Sequence, residues 1–80
     1  MTLKEAIADR IQQLCRERII TPYTLAMMCG VDTSTIYSIL GHKSNHPEVA
    51  TIKKICDGLD ITLAQFFDTD VFNNLEQEIK

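Results

Sequence analysis

The three cysteines and two histidines of this sequence are of types that bind metals or take part in nucleophilic catalysis. Cys15, Cys29 and Cys56 are widely spaced with no C-x-x-C pair, which argues against zinc and thioredoxin-like sites. His42 and His46 lie close together, but no third ligand of suitable type lies beside them. A cysteine–histidine catalytic pair is formally possible, although nothing in the spacing favours it. We therefore predict reduced, mostly buried thiols, no cofactor and no enzyme activity.

Signals for helix starts and ends follow one another along the chain, and no segment has a sustained strand pattern. Thr2 and Glu5 have the spacing of a capping box, which predicts a first helix that ends near Arg18. Thr21 and Pro22 suit the N-cap and first position of a second helix. The fold class is therefore predicted to be all-α.

The middle of the chain predicts two more helices separated by a loop. Asp32 is suited to the N-cap of the third helix, and residues 41–47 are polar and rich in helix breakers. A fourth helix is predicted from about residue 48 to residue 57. In it, Val49 faces inward and Gly58 ends the helix.

A second capping box, formed by Thr62 and Gln65, predicts a short fifth helix that ends near Phe67. Apolar residues beyond it have the spacing of a possible short sixth helix: Val71, Phe72, Leu75 and Ile79. We expect residues 1–69 to form one five-helix domain and residues 70–80 to form an acidic amphipathic extension.

Charge is distributed unevenly over the 80 residues, which carry a net charge of −3. Residues 1–56 contain seven bases and five acids, whereas residues 57–80 contain six acids and one base. The front of the chain is thus mildly basic, a weak basic surface that falls well short of a block of positive charge. No apolar run is long enough to span a membrane, and the N-terminus lacks the shape of a signal peptide. We expect a cytoplasmic protein with no membrane association.

Residues 22–41 match the pattern of a helix-turn-helix motif. The motif needs a small residue where its two helices cross, and Ala26 fills that position. It also needs a glycine with positive φ in the turn, and Gly30 fills that one. The remaining positions must be apolar, and they are occupied by Leu25, Cys29, Val31, Ile36 and Ile39.

The flanking residues extend the match, and over residues 7–67 the sequence resembles the Cro/repressor-like helix-turn-helix family (the xenobiotic-response-element group). The residues that carry this resemblance are Arg16-Glu17-Arg18, Thr21, Leu25-Ala26, Gly30-Val31, Ser34-Thr35-Ile36, Lys43, Pro47, Thr51-Ile52, Ile55-Cys56, Gly58-Leu59, Leu63 and Phe66-Phe67. The resemblance implies a five-helix DNA-binding domain of a bacterial or phage transcriptional regulator, often dimeric.

The resemblance also implies which residues contact DNA. Thr33, Ser34 and Ser38 would meet base edges from the third helix, and Tyr37 is a further candidate. Other positions are those at which family members contact phosphates: Pro22, Tyr23, Lys43, Ser44 and Asn45. We take all of these except Pro22, which has no hydrogen-bond donor, as the candidate DNA-binding residues.

Two functions remain open. The first is a transcriptional regulator whose third helix, residues 33–40, enters the major groove of double-stranded DNA. The second is a protein-interaction module that kept the fold and lost sequence-specific DNA binding, because residues 33–40 contain no cation and no side-chain amide. We expect no small-molecule substrate. A homodimer is possible, through residues 70–80 or through exposed apolar residues such as Leu40 and Met28.

Overall fold

The structure, a computed structural model, describes residues 1–41 and 46–79. These residues form six helices and no strand, which confirms the all-α prediction. In chain order the helices are α1 (Leu3–Arg18), α2 (Pro22–Cys29), α3 (Thr33–Leu40), α4 (Val49–Leu59), α5 (Leu63–Phe67) and α6 (Asp70–Asn73). No helix within the described ranges has the length and apolar character needed to cross a bilayer.

Threonine side chains cap the starts of four helices. The Thr2 hydroxyl accepts a hydrogen bond from the Glu5 amide at 3.2 Å, and the Glu5 carboxylate accepts one from the Thr2 amide at 3.0 Å. Thr62 and Gln65 form the same reciprocal pair at α5. Thr21 caps α2 and Thr69 caps α6. Both predicted capping boxes are therefore confirmed.

The prediction for α4 is wrong at three points. The helix begins at Val49, runs through Gly58 and ends at Leu59, where Asp60 adopts a left-handed conformation with φ 58°. Val49 does not face inward, because 71% of its surface is exposed. Gly58 is the penultimate residue of the helix and lies against Cys29 of α2, so it permits close packing and does not terminate the helix.

The hydrophobic core is assembled from α1 to α5. α2 packs against both α3 and α4, and α1 packs against α2 and α3. Phe66 from α5 is fully buried in the same cluster. The buried core residues are Ile7, Ile11, Leu14, Cys15, Leu25, Ala26, Ile36, Ile39, Ile52, Ile55, Cys56, Leu59 and Phe66.

α6 is shorter than the spacing of apolar residues suggested, because only Asp70–Asn73 is helical. Its Phe72 ring contacts the rings of Phe67 and Phe66, with centroid distances of 4.9 and 6.2 Å. α6 also packs against α1. The division at residue 69 stays a prediction.

Arg10 links α1 to α5. Its guanidinium donates to the carbonyl oxygens of Phe66 at 2.7 Å and Gln65 at 2.9 Å, and it lies 5.9 Å from the centroid of the Phe66 ring. These carbonyls belong to the end of a five-residue helix, where backbone acceptors have no intrahelical partner. Arg10 therefore satisfies groups that α5 cannot satisfy itself.

We expect Arg10→Met to lower the free energy of unfolding by about 1–1.5 kcal/mol, because it removes charge-assisted hydrogen bonds and keeps most of the apolar stem. Urea unfolding followed by circular dichroism measures the change. Arg16→Met is the matched control, since Arg16 is exposed on the same helix. Equal stabilities for the two variants would contradict the role assigned to Arg10.

Candidate nucleic-acid interface

The turn between α2 and α3 has the geometry that the sequence predicted. Gly30 adopts φ 66°, and the Val31 amide donates to the Ala26 carbonyl at 3.0 Å. Leu25 and Ala26 are fully buried, as is Ile36 of α3. The small side chain of Ala26 thus lies inside the contact, where a larger one would separate the two helices.

The two faces of α3 differ in what they contact. Ile36 and Ile39 are buried in the core, so the inner face fixes the position of the helix. Ser34 and Tyr37 are exposed, and Thr33 and Ser38 are half-buried. The candidate residues predicted on α3 therefore retain solvent access, and hydroxyl groups dominate their chemistry.

A cleft of about 440 Å³ separates α3 from the start of α4. Ser34 and Ser38, both predicted site residues, lie on its α3 side. The cleft is also lined by residues that were not in the predicted site: Thr35, Ile39, His46, Pro47, Glu48 and Thr51. All of these except Ile39 and Pro47 offer hydrogen-bonding groups, so the polar surface extends beyond α3 onto α4.

The helices on either side of this cleft begin differently from the others. Asp32 and Glu48 occupy the N-cap positions of α3 and α4, yet neither side chain accepts a hydrogen bond from its own helix. Asp32 therefore occupies the N-cap position that the sequence predicted, but its side chain does not cap the helix. The first turns of both helices therefore lack a side-chain cap, and residues of both first turns, Ser34 and Thr51 among them, line the cleft.

Of the other four predicted site residues, one lies on α2 and three follow α3 in the sequence. Tyr23, in the first turn of α2, is 57% exposed. Lys43, Ser44 and Asn45 lie outside the described residues. The structure thus places five of the predicted side chains on accessible or partly accessible surface.

Comparison with known proteins identifies the fold. The family model described as the Cro/C1-type HTH DNA-binding domain matches residues 10–70. The chain belongs to this family. Membership confirms the resemblance found in the sequence and implies a DNA-binding regulator. Domains of this family are typically non-enzymatic.

A solved structure supports the same assignment. The chain is 27% identical to the protein in a structure titled "Crystal structure of the prophage Lp1 protein 11". The similarity covers 94% of this chain and 99% of that one, with a TM-score of 0.82. No curated protein sequence matches the chain.

In this Cro/C1-type domain, several cations have structural partners. Arg10 binds α5, and Arg18 donates to the Leu59 carbonyl at 3.0 Å. Lys53 forms an ion pair with Asp57 on the exposed surface of α4. These three cations are therefore partly committed to contacts within the protein, and fewer remain for phosphate.

The cysteines of the domain have the character of core residues. Cys15 and Cys56 are buried and Cys29 is half-buried. Burial raises the pKa of all three thiols above the usual value, and the proximity of Cys15 and Cys56 raises the pKa of Cys29 further. They are protonated at neutral pH and are poor nucleophiles.

The predicted apolar surface is found only in part. Leu40 is half-buried and packs against the core, so the expectation that it is exposed is wrong. Met28 is exposed, and its neighbour Met27 is 66% exposed. Three exposed apolar or aromatic side chains therefore lie on α2, namely Tyr23, Met27 and Met28.

Proposed function

We propose that the chain is a DNA-binding transcriptional regulator whose α3 enters the major groove. The observation that carries the proposal is the row of hydroxyl-bearing side chains on α3, opposite a face that is buried in the core. In this arrangement Thr33, Ser34 and Ser38 meet base edges while Ile36 and Ile39 hold the helix in place.

Phosphate contacts complete this interface. Tyr23 is available at the start of α2, and Lys43, Ser44 and Asn45 follow α3 in the sequence. The amides at the starts of α3 and α4 add positive dipole ends, which favour phosphate, while Asp32 and Glu48 oppose it. The balance predicts modest affinity that falls steeply with salt.

Base recognition by α3 should be broad. Hydroxyl groups donate and accept, so each one is compatible with several bases. Bidentate contacts to guanine or adenine require Arg, Lys, Asn or Gln, and α3 contains none of them. We infer that the shape and deformability of the duplex contribute a large share of the specificity.

The proposal predicts that Ser34→Glu weakens binding to duplex DNA at least about tenfold, because a carboxylate on the outer face of α3 repels phosphate. Fluorescence anisotropy with a labelled duplex of random sequence, between 25 and 200 mM salt, measures the affinity. Ala64→Glu is the matched control, since Ala64 is also exposed and helical but lies on α5.

The outcomes separate the two functions left open by the sequence. Binding by the wild type that weakens as salt rises, with a larger loss for Ser34→Glu than for Ala64→Glu, supports the regulator. Absence of wild-type binding even at 25 mM salt contradicts it. Equal losses for both variants would show that net charge matters and that α3 does not face the DNA.

An interaction module without DNA binding is the second candidate function. The exposed apolar side chains on α2 favour it, because Met27, Met28 and Tyr23 form surface that water does not favour. A homodimer that uses this surface is compatible with both functions. Light scattering after size exclusion measures the oligomeric state, and a dimeric regulator should recognise half-sites about one DNA turn apart.

A further inference from the structure

The chain beyond α6 returns an acidic side chain to the start of α1. Phe72 anchors α6 on the Phe66 and Phe67 rings, and residues 74–79 continue from there. Glu78 lines a cavity of about 360 Å³ together with residues 2–5 and His46. Residues from three separate parts of the chain therefore meet at this point.

His46 is shared between this cavity and the cleft beside α3. It lines the first together with Glu78, and it lines the second together with Ser34 and Ser38. Glu78 thus lines a cavity that adjoins the surface that faces DNA in the proposed function, and Lys4 lines the same cavity. Glu76, two residues earlier, is also exposed.

We propose that residues 74–79, which we call the acidic segment, inhibit DNA binding by the same chain through electrostatic repulsion of phosphate. The inference rests on the proposed function, because it assumes that the cleft beside α3 faces DNA. It assigns a regulatory role to residues that lie outside the helix-turn-helix. A cation or a basic partner that neutralises the acidic segment would strengthen DNA binding.

The repulsion between an acidic side chain and phosphate depends on the distance between them, because salt screens exposed charges beyond about 10 Å at 0.1 M ionic strength. In the proposed function, a carboxylate in the cavity that adjoins the cleft lies within this range of the bound phosphates. Asp60 is an acidic residue at a distant position and serves as the control for Glu78. It follows Leu59, and the Leu59 carbonyl accepts a hydrogen bond from Arg18 at the end of α1 opposite to Glu78. With about 1.5 Å of rise per residue, the 16 residues of α1 separate the two ends by more than 20 Å.

Charge variants of single residues test the proposal in the full chain. Glu78→Gln should tighten binding to a labelled random duplex about threefold at 25 mM salt, and Glu78→Lys about tenfold. Asp60→Asn removes the same charge far from the cleft and keeps a residue type that tolerates positive φ. The Asp60→Asn variant should change the affinity for DNA less than about 1.5-fold. Raising the salt to 200 mM should reduce all three ratios towards one.

The failure of this inference is distinguishable from the failure of the proposed function. Graded tightening by the two Glu78 variants, absent from Asp60→Asn, supports inhibition by the acidic segment. If the wild type binds DNA and the Glu78 variants bind no better than Asp60→Asn, the inference is overturned and the proposed function stands. If the wild type and all variants fail to bind at 25 mM salt, the proposed function is overturned and the inference with it.

Discussion

Replacing Phe66 with alanine should lower the free energy of unfolding by about 3–5 kcal/mol, which is the range for a buried aromatic side chain. The Phe66 ring is fully buried, and it contacts Phe67 with a centroid distance of 4.8 Å in an edge-to-face arrangement. The Arg10 guanidinium lies over the same ring. The substitution therefore opens a cavity and removes the ring contacts of Phe66 with Phe67, Phe72 and Arg10, while the hydrogen bonds from Arg10 to the α5 carbonyls remain.

The consequence for the population of folded protein is large. A domain of this size has a total stability at the lower end of about 5–15 kcal/mol, so the Phe66→Ala variant should be substantially unfolded at 37 °C. Urea unfolding at 25 °C measures the loss. Phe66→Leu is the control and should cost less than about 2 kcal/mol, because it keeps most of the apolar volume. A Phe66→Ala variant as stable as Phe66→Leu would contradict the assigned packing.

Gly58→Ala should have the second largest effect, lowering the free energy of unfolding by about 2 kcal/mol. A Cβ atom at this position would overlap the Cys29 sulfur and would lie 2.9 Å from the Cys29 Cα atom. A side-chain rotation can relieve the first contact but not the second, so α2 and α4 must move apart. Alanine has the higher helix propensity by up to about 1 kcal/mol, which offsets part of the cost.

Two further variants identify the cause of that loss. Cys29→Ala combined with Gly58→Ala should recover only part of the stability, because the contact with the Cys29 backbone remains. Gly30→Ala should cost about 1 kcal/mol for a different reason, since a Cβ atom there meets nothing within 4 Å but φ is 66°. Full recovery in the double variant would show that the sulfur alone is the obstacle. A Gly58→Ala variant as stable as the wild type would show that the helices separate without cost.

The sequence was sufficient to predict features that depend on near neighbours. The capping boxes at Thr2 and Thr62 each involve a partner three residues away, and the conformation of Gly30 follows from its place at the end of α2. The role of Gly58 could not be predicted in this way. Its contact with Cys29 joins residues far apart in the chain, and it appears only once α2 and α4 are packed together.

In the candidate site, too, features set by neighbours in the sequence could be predicted and features set by the packing of distant residues could not. The outward face of α3 follows from helical periodicity once Ile36 and Ile39 are assigned to the core. Glu48 and Thr51 were missed because they join the site only through the angle between α3 and α4. The position of Glu78 beside His46 depends in addition on how α6 packs against α1. No local pattern in the sequence records either arrangement.

The separation of the two faces of α3 has a consequence for how new binding preferences arise. Ile36 and Ile39 supply the contacts that fix the helix, while Ser34 and Tyr37 make their contacts with solvent. Substitutions at the outer positions can therefore accumulate without loss of stability, because surface changes usually alter it by less than about 0.5 kcal/mol. If α3 faces DNA as proposed, arginine or glutamine introduced on this face would add base contacts while the buried face stays unchanged. The residues that would set recognition and the residues that preserve the fold are therefore different residues of the same eight-residue helix.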